Sequence, residues 1–238
     1  MTLDALTPAF GSTRAKVQRI GAHVLSRARH AVTGRVDLAP TPGGIGTLAF
    51  GPDHRVLRLS GELLVVETTG DQPATACMTV SGNSLAALAE FAGVDLDSDY
   101  TAGADTPELG DVDGALQLDG RSVELLGAWF AFGMQVLVAA ITGAAEPTRA
   151  RIWPEHFDLG IDVACAGSRV NLGASAGDSF HEAPYLYVAP WEPSRPGPAD
   201  FWNAPFGAVL GYESLRDQDG IAHGVDFIVE GLGHLGAR

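Results

Sequence analysis

Between Trp153 and Trp191 the chain alternates in a way that leaves little freedom in how it folds. From His156 to Val163, Phe157, Leu159, Ile161 and Val163 fall on one side, and His156, Asp158, Gly160 and Asp162 on the other. That period of two belongs to a strand with one face buried. Ala166-Gly167 reads as a two-residue turn. Arg169 to Ser175 then alternates again, with Val170, Leu172 and Ala174 apolar. A tight turn predicts an antiparallel register with Asp162 opposite Asn171, Gly160 opposite Gly173 and Asp158 opposite Ser175. A third strand begins at Tyr185, where Tyr185 and Tyr187 share one face and Leu186 and Val188 the other.

If the aliphatic faces all meet one core, the opposite face collects His156, Asp158, Asp162, Asn171, Tyr185 and Tyr187 around a gap left by Gly160 and Gly173. Glycine inside a strand often marks a close approach by another backbone or a ligand. The loop Ala176–Ala183 adds Asp178, His181 and Glu182 at the rim. Antiparallel sheets commonly wet one face, which is the structural explanation. Three functional readings stand beside it.

The first is a domain that binds a small molecule through His156, Asp158, Asn171, Tyr185 and Tyr187, because convergent polar groups are what such sites need. The second is a metal-dependent hydrolase. There His156, Asp158, Asp178 and His181 hold a divalent metal ion as cofactor, and Glu155 or Glu182 acts as base. The third is a structural or protein-interaction domain using Trp191 and Trp202, which flank the proline-rich loop 192–200; packing against the domain's own core is the expected fate of both. No zinc spacing, Gly-x-Ser-x-Gly elbow or Cys–His arrangement is present, so no catalytic residue is assigned.

The remainder reads as scaffold. Thr13 to Val32 has helical spacing, with Val17, Ile20, Val24 and Ala28 on one face; Ser12 or Thr13 is a candidate cap, and Gly34 a stop. His23 and His30 are expected on the surface of that helix. The glycine-rich run TPGGIGT lacks the strand-to-helix context and the Lys-Ser/Thr of a phosphate loop, and turn chemistry explains it better. Val56–Leu59 and Leu63–Glu67 flank Ser60-Gly61-Glu62 as a hairpin. Ala74 to Val80 forms a further strand, and Asn83 or Ser84 caps a short helix, Leu85–Ala92, ended by Gly93. Leu125 to Ala145 carries no charge and is long enough to span a membrane. With Gln135 in its middle and no second such segment, a buried helix whose Gly and Ala allow close packing is the expectation. Gly220 to Leu235 has a helical face of Ile221, Val225, Ile228, Val229 and Leu232.

These elements predict an α+β fold, with mainly antiparallel sheet packed against a few helices. One domain over 1–238 is the simplest organisation. A topological echo between MTVSGNSLAALAEFAGV and LGYESLRDQDGIAHGVDFIVEGLG leaves open two similar halves, about 13–94 and 120–238, joined by an acidic loop 95–119. A formal net charge of −14 disfavours nucleic acid and anionic membrane surfaces as partners. The first residues lack an apolar signal core, which gives the expectation of a cytoplasmic protein. Cys77 and Cys165 sit in apolar strand-like runs and are expected as buried thiols, with a disulfide not excluded. In WPEHFD, NLGASAGD, PYLYVAPW and TPGGIGT the chain resembles an uncharacterised bacterial protein family. The resemblance implies a stable domain over most of the chain, and no activity or catalytic residue comes with it.

Overall fold

In the computed structural model, which describes residues 2–236, the chain forms an α+β fold whose strands pair antiparallel. It divides into two compact units. The first comprises Leu6–Ala128 with Ile152–Phe157; the second comprises Trp129–Arg151 and Asp158 onward, with the chain's first residues up to Ala5.

The first unit opens with one continuous helical run. α1 (Phe10–Ile20) passes into a π-helical turn, Gly21–Ser26, and continues as α2 (Arg27–Thr33). Val17, Ile20, Val24 and Ala28 are buried, as their spacing requires. Ser12 and Thr13 do not cap the helix. It begins three residues earlier, after Ala9, and the Ser12 hydroxyl donates back to the Ala9 carbonyl at 3.0 Å. Gly34, at φ 69°, ends it in the left-handed conformation that glycine allows. At Gly21 an added Cβ would stand 3.2 Å from Ile45 and 3.5 Å from Leu38, so the π-helical turn lies close against the sheet.

That sheet runs β6 (Arg151–Trp153), β1 (Leu38–Thr41), β2 (Gly44–Thr47), β3 (Val56–Ser60), β4 (Leu63–Thr68), β5 (Ala74–Thr79). TPGGIGT is the β1–β2 hairpin, turned at Gly43 with φ 76°. β5 lies at the sheet's edge and is largely exposed, which leaves Cys77 free and exposed instead of buried. Ser84 caps α3 (Leu85–Phe91) by accepting the Ala87 amide at 3.1 Å. α4 (Gly120–Ala140) is long and apolar enough to cross a membrane by length and composition. Its Trp129, Phe130, Phe132, Val136 and Leu137 are fully buried within the protein.

In the second unit the sheet order is β10 (Ala208–Gly211), β9 (Tyr185–Pro190), β8 (Ser168–Ser175), β7 (Asp158–Cys165). β7 and β8 are joined by Ala166 and Gly167, at φ 47° and 85°, a hairpin turn with both residues left-handed. The pairing is Asp158↔Ser175, Gly160↔Gly173 and Asp162↔Asn171, as the alternation predicts. The apolar face carries Leu159, Leu172, Ala174, Leu186 and Val188, all fully buried. Against it lie the later part of α4 and α5 (Gly220–His234). Both approach on glycine. A Cβ at Gly133 would stand 2.5 Å from the Ala174 Cβ, and one at Gly231 would stand 2.9 Å from Val188. The buried face of α5 is therefore Gly220, Gly224, Ile228, Gly231 and Leu232, while Ile221, Val225 and Val229 are half-buried beside it. Cys165 is buried and free, its thiol donating to the Leu235 carbonyl at 3.3 Å.

Gly133→Ala is expected to destabilise the protein by about 1–3 kcal/mol, because the strand has to move to admit one methyl group. Gly11→Ala, in α1 with no atom within 4 Å of the new Cβ, is expected to stabilise it by about 0.5–1 kcal/mol. Urea denaturation of the two variants checks both signs.

Candidate functional site

The register of β7, β8 and β9 places side chains in rows across the second unit's polar face. Asp158, Ser175 and Tyr185 form one row, and Gly160, Gly173 and Tyr187 the next. Asp162, Asn171 and Ala189 form the third. The fourth holds Arg169 and Trp191, whose amide donates to the Arg169 carbonyl at 3.0 Å.

The gap expected over the paired glycines is filled from within. A Cβ at Gly173 would collide with the Tyr187 ring, so that phenol lies directly across the bare backbone. Its hydroxyl donates to Asp158, two strands away. Gly160 and Gly173 are both buried. The Tyr185 hydroxyl donates to the Asp178 carboxylate at 2.5 Å. Asp178 in turn orders its own loop, accepting the amides of Phe180 at 2.8 Å and His181 at 3.1 Å. Phe180 and Phe206 stand edge to face at 5.2 Å and pack against Tyr185 and Tyr187 respectively. Burial, and then the charge of Asp158, pushes the Tyr187 phenol well above its ordinary range. Burial, and then its bond to Asp178, does the same for Tyr185. Both phenols therefore act as neutral donors.

Of the candidate ligand residues, Asp158, Asn171, Tyr185 and Tyr187 do share this face, and Asp158 and Tyr185 are buried in it. His156 does not. The strand begins at Asp158, because Phe157 takes a left-handed φ of 54° and donates its amide to the Trp153 carbonyl at 2.7 Å. His156 belongs to the first unit, exposed, with Nδ1 3.6 Å from Asp105. The proposed metal set is likewise not assembled. Among the described residues no group of three or more His, Cys, Asp or Glu side chains is placed to hold a metal ion. Asp158 and Asp178 each accept a tyrosine hydroxyl, and His181 Nδ1 lies 2.8 Å from the Ala183 carbonyl.

Trp191, which the sequence offers only as a protein-interaction residue, also lies on this face. Core packing was the expectation, yet the side chain is 61% exposed. Its indole N–H donates to Asn171 Oδ1 at 2.9 Å, which fixes the ring over β8. Beside it Arg169 pairs with Asp162. The signal was available, since Trp191 continues the alternation of Tyr185 and Tyr187 onto the polar face. Trp202, by contrast, is half-buried, its ring 4.9 Å from that of Phe201 and its N–H donating to the Pro196 carbonyl at 2.8 Å.

Comparison with protein-family models, with curated proteins and with solved structures yields no match.

Because the Tyr185 and Tyr187 phenols are raised on folding, the stability they contribute is present below their ordinary pKa of about 10 and is lost as pH rises beyond it. Just above that ordinary value both phenols are expected to stay neutral in the folded protein. Tyr185→Phe and Tyr187→Phe are thus expected to leave the tyrosinate absorbance near 295 nm unchanged at that pH. A drop in either variant contradicts the assignment. Tyr187→Phe, which removes the donor to a buried carboxylate, is expected to lower stability by about 1–3 kcal/mol.

Proposed function

We propose that the second unit binds a small polar molecule on its sheet face, in the slot between Tyr187 and Trp191. The observation that carries this reading is Trp191: a large apolar ring left 61% exposed, with its N–H bonded to Asn171. A side chain fixed before binding loses little conformational entropy when a ligand docks on it.

The slot follows from the strand. Tyr187 and Trp191 stand four residues apart on one face, about 13 Å at 3.3 Å per residue. Both lean toward β8, Tyr187 over Gly173 and Trp191 over Asn171. Between them lies Ala189, paired with Asn171, so the floor is a methyl group beside an amide. Asn171 accepts from the indole through Oδ1, which leaves its Nδ2 hydrogens as donors. Asp162, in the floor's own row, pairs with Arg169 of the next, so groups of both charges border the floor. An aromatic wall, a small floor and a few convergent polar groups suit a flat or ring-shaped molecule with polar edges. Asp158 and Tyr185 support the slot from behind and do not touch the ligand; His156 takes no part.

Indole, adenosine and methyl glucoside, each added at millimolar concentration to the labelled protein, test the reading by NMR. At least one is expected to shift the Trp191 Nε1–H resonance while leaving that of Trp202 in place. Trp191→Ala is expected to abolish binding of that probe by equilibrium dialysis. Binding undiminished in the variant, or no shift with any probe, rejects the slot.

A further inference from the structure

The first unit holds a second feature, separate from the slot. Residues 95–119 form a strap with no strand or helix of their own, apart from the isolated Ser84↔Ala115 bridge. The strap runs along the opening helix, and the helix meets it with a stripe of basic residues spaced three and four apart: Lys16, Arg19, His23, Arg27 and His30. The first four grip the strap's backbone, not its carboxylates. Lys16 donates to the Gln117 carbonyl at 2.8 Å, and Arg19 to the Leu109 carbonyl at 2.7 Å and also to that of Asp111. Arg27 donates to the Leu96 carbonyl at 2.7 Å and also to that of Ser98. His23 Nε2 lies 2.7 Å from the Pro107 carbonyl. His30 packs edge-on against Tyr100, 5.3 Å between centroids.

We propose that this strap is an acid-released flap, latched at neutral pH by His23. The side chain is 5% exposed, on a π-helical turn whose six residues are all buried; such turns recur at functional positions. A carbonyl can only accept, so the Pro107 contact assigns the proton of the neutral ring to Nε2. Nδ1 is then a bare lone pair, and it has no hydrogen-bond partner among the described residues. A second proton on Nδ1 creates an imidazolium where no acceptor waits for it.

The surroundings on every side bear on that charge. Arg19 and Arg27, on the same helical run, repel it. From the strap it meets the Pro107 carbonyl, which stays a good acceptor, and the Tyr100 ring at 6.4 Å. The Tyr100 hydroxyl, donating to Ser26 at 2.8 Å, is uncharged. The turn after β6 brings Glu155 near Gly103 and Tyr100, and its charge acts on Tyr100. The same turn carries His156, whose Nδ1 lies 3.6 Å from Asp105. Both partners of that pair are more than half exposed, so its pull on the strap is weak. Burial and the two arginines together outweigh the carbonyl and hold the His23 pKa below its ordinary value.

The sign follows. The folded strap binds the proton less well than the open one. Its closure is therefore fully present above the ordinary histidine value of about 6.5 and weakens as pH falls below it, by up to tenfold per unit. The strap yields before the helix because Val17, Ile20 and Val24 anchor the helix in the core. Within the strap only Ala102, Leu116 and Leu118 are buried, and the rest is held by polar contacts.

Hydrogen exchange followed by mass spectrometry, corrected for the intrinsic pH dependence, tests this on the full chain between about pH 7.5 and 5.5. Peptides within 95–119 are expected to lose protection across that range, by up to about tenfold, while those of α1 and β3 keep theirs. His23→Gln, which preserves a donor to Pro107 and cannot titrate, is expected to abolish the pH dependence; His156→Gln is expected to leave it. Constant protection in the wild-type strap, loss in step with β3, or the same loss in His23→Gln overturns the proposal. Should His23→Gln fail to fold, the wild-type imidazole titration by NMR decides: its midpoint coincides with strap opening, or the latch is not His23.

Discussion

The contact between the Tyr187 ring and the bare backbone of Gly173 shapes the whole polar face of the second unit. Only glycine admits it, since any side chain at 173 would occupy the space of the phenol. Lying flat, the ring spans β8, and its hydroxyl reaches Asp158 on β7. That bond brings a neutral donor to a buried carboxylate. Burying a charge is costly unless donors meet it, and a phenol is among the few neutral donors long enough to cross a strand. Tyr185 and Asp178 repeat the arrangement at the loop edge. With these rows closed, the open part of the face is the stretch from Ala189 to Trp191.

The same economy of volume positions the helices. Gly133 lets α4 approach β8, Gly224 and Gly231 let α5 approach β9, and Gly127 lets α4 lie on the first unit's β1–β2 hairpin at Gly43 and Gly44. Of the thirty glycines, fourteen lie inside helices or strands. Many stand where a backbone meets a backbone or a ring. Such contacts bury little apolar surface each, but they bring the larger flanking groups, Trp129 and Phe132 among them, into contact, stacked at 5.7 Å.

The sheet of the second unit was legible because two strict alternations joined by Ala166-Gly167 admit one register, and that register is found. What was not legible lay in conformations and partners that local spacing does not encode. The left-handed Phe157 broke the alternation before it reached His156, although a bulky residue gives no warning of positive φ. Gly173 recorded a missing side chain but not the ring that would cover it. His23 sat where a surface histidine is expected, and its burial depends on a strap 84 positions further along the chain. Cys77 looked like a core residue because edge strands share the composition of central ones. Trp191 is a different case. Its face was fixed by the alternation, and only the general expectation that tryptophan is buried pointed the other way.

The two units also differ in how they satisfy polar groups, and this makes their responses to acid differ. Lys16 is the sole lysine, and in the strap region the arginines are spent on carbonyl oxygens, which protons do not titrate. Of the histidines that touch the strap, His23 is the buried one. In the second unit the contacts are phenol to carboxylate. Protonating Asp158 or Asp178 leaves two hydroxyl-bearing groups that still share a hydrogen bond, since either can donate. The slot beside Tyr187 is expected to keep its shape through the pH range in which the strap opens, so ligand binding and strap release are separable by measurement.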